Sequence, residues 1–294
     1  MKEELYQDPE KTKRNVDEIR NWVNDQPHLP KVTDSKFIEN FLVGNKYDVE
    51  KTKTMMDRYF CARDQKRHFF ENRDPSAPDI DESFRVVFSI PMPQLTPEGY
   101  RVITIGLLDH DAHKFSFLSL IRRNLMLVDF GLTRETAIGM IAITDCTGMS
   151  LRHLSKLSVA YMKDYLYCSL DAAPLRVKGI HMVNMPSYYG KFVTFLKHFL
   201  PQKLRDRVHT HESVESLHEH VPIDVLPVEL GGKGPSVKDL NARWHKFLVA
   251  HKDWFLTEGS KKADLELLKV DKEVPKVSGY WWNVFSRRPT STVE

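Results

Sequence analysis

Apolar positions along the first sixty residues recur at helical intervals. Val16, Ile19 and Val23 repeat between Glu10 and Asn24, and Pro27 and Pro30 end that segment. A second helix is predicted from Asp34 or Ser35 as N-cap, with Phe37, Phe41 and Leu42 on one side and Gly44 as its stop. A third starts at Asp48 and carries Val49, Thr52, Met56, Tyr59 and Phe60 on one stripe. Each is short, so each needs tertiary packing to persist. The stretch NRDPSAPDIDES (72–83), rich in Pro, Asp and Ser, reads as a linker behind this helical module.

Beyond it the period changes. RVITIGLLD (Arg101–Asp109), TAIGMIAIT (Thr136–Thr144) and VKGIHMV (Val177–Val183) are β-like runs. A helix from Ser116 to Phe130, with Leu118, Ile121, Leu125 and Val128 on one stripe, separates the first two. A helical segment over Ser150–Ala172 separates the second from the third. Strands alternating with helices predict an α/β layer with crossover connections. The strand TAIGMIAIT is apolar on both faces, as a sheet covered on both sides should be. After the third strand, Phe192, Phe195, Leu196 and Phe199 form an apolar stripe on a helix over Ser187–Leu200. A last helix spans Ser236–Leu256, with Ser236 and Asp239 in capping-box register, and an extended tail is expected from Glu258.

Composition adds exclusions. The 294 residues carry 43 basic and 40 acidic side chains, a formal net charge of +3, without the basic excess of a nucleic-acid protein. Cys61, Cys146 and Cys168 lie far apart in sequence, with no zinc-like spacing, and read as reduced thiols. The charged N-terminus lacks the apolar core of a signal peptide, and no run reaches the ~20 apolar residues of a membrane span. A soluble intracellular protein is the expectation.

Catalytic signatures are missing: no GxSxG, no HExxH and no GxGxxG after a strand. Gly231-Gly232-Lys233-Gly234 lacks the flanking residues of a phosphate loop and reads as a turn. His209, His211, His218 and His220, with Glu212 and Glu219, have the alternation of a solvated surface; as a metal site they want a further residue to complete them. Asp145, at a strand end, suits hydrogen bonding to local backbone. Tyr188 and Tyr189 fit either a pocket wall or plain packing.

Three consecutive motifs resemble the core of the CRAL-TRIO family, nearest its tocopherol-transfer branch. They are PLRVKGIHMVNMP (Pro174–Pro186), FLKHFLPQKLRDRVHTHE (Phe195–Glu212) and VLPVELGGKG (Val225–Gly234). FLVGNKYDVEKTKTMMDRYF (Phe41–Phe60) is similar to the family's N-terminal helical segment, so the likeness runs over residues 10–256. It implies an N-terminal helical domain (1–75), an α/β CRAL-TRIO domain (85–257) and a tail (258–294). In the second, a mixed sheet floors an apolar pocket closed by a lid helix. The resemblance puts Met140, Ala142, Thr144, Ile180 and Met182 on the pocket face of the strands, with Tyr165, Cys168 and Leu175 beside them. Ile121, Leu125 and Val128 of the 116–130 helix join the wall. Phe192, Phe195, Leu196 and Phe199 would face inward from the lid; ordinary core packing is the competing account of all these apolar positions.

Basic positions carry over too. Arg176, Lys178, Lys203 and Arg207 match the family's phosphoinositide contacts, while Val43 and Asn45 stand where it often has Arg, leaving Lys46 nearby. The tail residues Trp281, Trp282 and Phe285, beside Arg287 and Arg288, suit a membrane interface or packing back onto the protein. The implied protein is a monomeric cytoplasmic carrier that takes a hydrophobic small molecule or lipid and touches phosphoinositide-containing membranes transiently. It is not an enzyme, needs no cofactor or metal, and binds no nucleic acid. Its competitors are a phosphoinositide-responsive adaptor on the same fold and a lipid-acting enzyme using Asp145 or the histidines.

Overall fold

A computed structural model describes residues 8–134, 137–186 and 188–271. Three helices open the chain: α1 (Pro9–Asp25), α2 (Ser35–Gly44) and α3 (Val49–Gln65), followed by the single turn α4 (Arg67–Phe70). Asp8, Asp34 and Asp48 cap the first three by accepting from backbone N–H groups of the first turn, which water would otherwise have to satisfy. Their apolar stripes meet in one core that includes Val16, Ile19, Phe41, Met56 and Phe60. Gly44 is needed for close approach rather than as the turn: a Cβ there would lie 2.4 Å from Pro174. The left-handed residues fall at Lys46 and Tyr47.

The stretch expected as a linker is packed structure. Arg73 is 1% exposed, Ile80 is fully buried, and α5 (Pro78–Val86) starts at Pro78, which fits a helix N-terminus because its missing N–H needs no partner there. It runs directly into β1 (Val87–Leu95), an unexpected strand. Pro91 and Pro93 argue against a central strand, and β1 is indeed an edge strand, where proline is tolerated.

The remaining elements are β2 (Tyr100–Leu107), α6 (Phe117–Arg134), β3 (Gly139–Asp145), α7 (Leu151–Ser155), α8 (Val159–Leu166), β4 (Val177–Val183), α9 (Tyr189–Lys197), α10 (Gln202–Arg205), β5 (Val208–Thr210), α11 (Val214–His218), α12 (Val237–Ala250), α13 (Lys252–Leu256) and α14 (Leu265–Asp271). The five strands form one mixed sheet in the order β1-β2-β3-β4-β5, with β1 antiparallel and the other neighbours parallel. The expected helix over 150–172 is broken: Ser158 caps a fresh start at α8, and a π-helical turn (Tyr167–Asp171) ends it. The segment from Glu258 is not extended throughout. It folds back as α14, with Ala263 and Leu268 in the core of the N-terminal helices. Trp281, Trp282 and Phe285 lie outside the described residues.

One buried ionic cluster ties these parts together. Asp129 Oδ2 on α6 accepts from Arg63 (2.8 Å) and Arg73 (2.6 Å), and Oδ1 accepts from the Tyr59 hydroxyl at 2.6 Å. Both guanidinium groups also donate to the Gly259 carbonyl, and Arg63 donates to that of Lys261 at 2.7 Å. Burial opposes the charge on Asp129, but the adjacent Arg63 and Arg73 outweigh it and hold its carboxyl below the usual range. Asp129→Asn is expected to lower the unfolding free energy by about 3–5 kcal/mol, because two arginines stay buried without a counter-charge. Urea denaturation checks this; a loss near zero would mean that the cluster does not hold the domains together.

Candidate ligand chamber

The two faces of the sheet are unlike. On one, Phe88, Ile90, Val102, Ile141 and Ile143 are buried against Leu217, Val221, Leu226 and Leu240 from the 214–240 segment. On the other, Met140, Ala142, Thr144 and Ile180 keep accessible surface, although β3 and β4 are interior strands with helices packed over them. Side chains alternate faces along a strand, so this strict alternation marks one sealed face and one held open. Register puts Ser89, Ile103, Ile105 and Met182 on the same face, where Ser89, Ile103 and Met182 are buried.

Helices complete the walls. Leu120, Asn124, Leu127 and Gly131 form a half-buried row along α6, and a Cβ at Gly131 would meet nothing within 4 Å. No residue of α8 is buried. Tyr165 retains accessible surface although protein surrounds it on all sides. On α9, Phe192 and Leu196 are half-buried and Phe195 is 46% exposed; in the turn after it, Phe199 is buried beneath Lys163 of α8, whose ammonium lies 5.8 Å from its ring. Tyr188 reaches Met149, donating its hydroxyl to that carbonyl at 3.0 Å, while Tyr189 is buried.

Not every expected wall residue gathers here. Ile121, Leu125 and Cys168 pack into a core with Ala62, Phe69 and Phe70, on the side of α6 facing the N-terminal helices. Val128 and Leu175 pack against the core of those helices. The expected stripe is thus one rotation away from the open row. Ser89 and Asn124 gave no sequence signal as wall residues, because the prolines hide β1 and a polar residue on a helix reads as solvated.

The four basic positions do converge, and Lys46 joins them. Burial, then the charges of Arg176, Arg207, Lys203 and Lys46, hold the Lys178 ammonium below the ordinary lysine value. Lys178 lies over Tyr100, 5.0 Å from the ring, and Gly139 leaves the room, since a Cβ there would lie 2.6 Å from the lysine stem. Arg207 donates to the Val177 carbonyl, and Nη1 of Arg176 is buried without a partner. Cations crowded this closely repel one another, so an anion bound among them gains that energy back.

The histidines divide between surface and interior: His220 is exposed, His209 and His218 are half-buried and His211 is buried. His181, which the sequence gave no reason to include, stacks with His209 and His211 and meets His220 at a tilt, with ring centroids 5.0–5.5 Å from the three; His209 stacks in turn with His220. His181 Nδ1 and His211 Nε2 are 2.9 Å apart, and both residues are buried. His218 turns away to the Leu230 carbonyl. Burial, then the neighbouring imidazoles, push His181 down to about 3. Elsewhere, in the N-terminal helices, His28, Asp57 and Cys61 bring possible ligand atoms within 4.8 Å of one another, with His28 and Asp57 paired at 2.6 Å. Asp145 accepts from Thr147 and Asn184 at the strand end, as expected, and Gly231 sits in a left-handed turn.

The fold and its open face define a helical module joined to an α/β ligand-binding domain. Residues 8–80 match the family described as Pinta-like, UBA domain, and residues 88–232 match the CRAL/TRIO domain. The chain thus carries a CRAL/TRIO domain and is similar along most of its length to lipid-binding proteins of that family. It is 28% identical to alpha-tocopherol transfer protein-like of Homo sapiens over 87% of this chain and 75% of that protein. It is 25% identical to Clavesin-2 of Homo sapiens, over 84% and 76% respectively. The crystal structure of Sfh5 aligns with a TM-score of 0.43 at 12% identity, over 85% of this chain and 99% of that one, a match too loose to carry an argument.

The stacked imidazoles generate an acid sensitivity. Unfolding frees His181 to take a proton near its ordinary value of 6.5, whereas the folded protein resists down to about 3. The unfolded state therefore binds more protons across that window, and stability falls as pH drops through it. His181→Gln is expected to flatten this part of the stability–pH curve in urea titrations. An unchanged curve would assign the acid sensitivity to other groups.

Proposed function

We propose that this chain is an intracellular carrier that takes one hydrophobic molecule into the chamber beneath α9 and releases it at a membrane. The observation that carries the reading is the accessible surface retained by Met140, Ala142, Thr144 and Ile180 in the middle of a covered sheet. Burying a lipid against such a face recovers about 25 cal/mol per Å² of apolar surface, with no reactive group required. The relatives named for tocopherol transfer favour a tocopherol, with retinoids and carotenoids as the next classes. Monomeric action and a cytoplasmic site with transient membrane contact complete the proposal. Among the described residues no helix is long and apolar enough to cross a membrane.

The rim supports release at anionic membranes. Arg176, Lys178, Lys203 and Arg207, with Lys46, would hold a phosphoinositide headgroup. Phe195, 46% exposed, and Tyr188, 47% exposed, lie on the lid segment and would enter the interface. A bound headgroup favours whichever lid position exposes more of this surface.

Native mass spectrometry of the purified protein, followed by organic extraction, tests the carrier reading. A stoichiometric hydrophobic molecule is expected. A folded protein that stays empty after exposure to tocopherols, retinoids, carotenoids and phospholipids would redirect the reading to a phosphoinositide-responsive adaptor. For the rim, Lys203→Ala/Arg207→Ala is expected to slow transfer to phosphoinositide-containing vesicles at least fivefold, as two cations near an anionic surface contribute about 1 kcal/mol each. Equal rates for variant and parent would remove the rim from the mechanism.

A further inference from the structure

Outside the chamber and its rim, one group of side chains combines three different donor atoms at the edge of the N-terminal core. Helix α3 carries Asp57 and Cys61 four residues apart, so both stand on one side of it, a turn from each other. His28, in the loop behind α1, meets that side. Its Nε2 lies 2.6 Å from Asp57 Oδ1, and ligand atoms of His28, Asp57 and Cys61 all fall within 4.8 Å of one another. Cys61 is buried among the apolar residues of these helices, His28 is 9% exposed, and the Asp57 side chain, 21% exposed, forms the outer edge. The returning C-terminal segment fixes loop and helix against each other. The Asp264 N–H donates to the His28 carbonyl at 2.8 Å, and the Ala263 N–H donates to that of Phe60 at 3.0 Å.

An ion pair accounts for His28 and Asp57 but not for the thiol beside them. Imidazole nitrogen, carboxylate oxygen and thiolate sulfur form the mixed donor set that zinc accepts, whereas magnesium and calcium take oxygen. Zinc holds tetrahedral ligands about 3.3–3.6 Å apart, so side-chain rotations of about 1 Å convert the observed group into a coordination shell. Nearby carboxylates are committed elsewhere. Asp64 pairs with Arg67 at 2.7 Å and Lys262 at 2.9 Å, and Asp264 Oδ1 accepts from the Glu266 N–H at 3.0 Å. The fourth position therefore falls to water, which reaches it from the Asp57 edge. Binding sends the Cys61 thiol proton to solvent, because the thiolate is the ligand. The sequence conceals the group, since His28 stands 29 positions before Asp57 and matches no zinc spacing.

We propose that His28, Asp57 and Cys61 form a zinc site in the N-terminal helices, with water as the fourth ligand. The bound ion joins the loop behind α1 to α3, the helix whose Tyr59 and Arg63 hold Asp129. Zinc binds the folded arrangement and not the separated segments, so its occupancy adds to the stability of the helical module. The proposal is independent of the carrier reading, because none of the three residues lies on the chamber or its rim.

The test titrates cobalt(II), which takes the place of zinc and absorbs light, into the full-length, tag-free protein with its thiols kept reduced. Cobalt bound by a thiolate gives an intense near-ultraviolet charge-transfer band. Imidazoles and carboxylates alone do not, so the histidines around His181 cannot imitate it. The band is expected to saturate at one cobalt per chain, to vanish when zinc is added, and to be absent from Cys61→Ala while surviving in Cys146→Ala and Cys168→Ala. His28→Gln is expected to weaken cobalt binding at least about tenfold, since even the loss of a group that merely orients a ligand costs that much. Urea unfolding separates loss of the site from loss of the fold. Zinc is expected to raise the midpoint of the parent and of Cys146→Ala and to leave that of Cys61→Ala unmoved. A parent protein that takes no cobalt, takes it without the charge-transfer band, or keeps the band after Cys61→Ala would overturn the proposal.

Discussion

The Asp129 carboxylate sits on α6 between the guanidinium groups of Arg63 and Arg73, with the Tyr59 hydroxyl on its second oxygen. In the proposed reading α6 is a chamber wall, and its row of Leu120, Asn124, Leu127 and Gly131 is only half-buried. A helix that gives up packing on one side must be held harder on the others. On α6, Asp129 ties it to α3, to the segment carrying Arg73, and through the Gly259 carbonyl to the returning C-terminal segment. Ile121 and Leu125 add an apolar contact to Phe69 and Phe70. The N-terminal helices therefore act as a brace for the wall.

The sheet divides the same labour between its faces. Ile141, Ile143 and Val102 are sealed beneath the 214–240 segment, which fixes strand positions whether or not the other face is filled. Met140, Ala142, Thr144 and Ile180 are then free to remain incompletely buried. An apolar face left in this state gains free energy when an apolar molecule covers it, so the affinity for lipid is built into the imbalance between the faces.

Charge is arranged with equal economy. Lys46, Arg176, Lys178, Lys203 and Arg207 come from widely separated segments, and the left-handed backbone at Lys46 belongs to the turn that brings the first of them in. Their mutual repulsion is the ground on which the rim is proposed as a site for an anion. On the opposite face, His181 stays uncharged because it is buried and crowded by His209, His211 and His220. A proton forced into it would act against the packing of β4 and β5.

Much of this was legible in the residues. The helical stripes of α1 to α3, the strands β2, β3 and β4 and the apolar stripe of α9 follow from local periodicity, because adjacent residues decide them, whereas the four basic positions came from the family resemblance. Strand β1 did not, since Pro91 and Pro93 mark it as unfit for a sheet interior and only its edge position admits them. Nor did the true chamber row of α6: the helix is apolar on several sides, and whether Ile121 and Leu125 or Leu120 and Leu127 face the open sheet is fixed by Asp129 meeting two distant arginines. His181 joins its three partners only because β4 and β5 are neighbours. The sequence by itself determined the first three helices, α6 and the strands β2 to β4, and pointed to the family they compose. Which side of each segment faces empty space was decided by contacts between residues far apart in the chain, and periodicity carries no information about those.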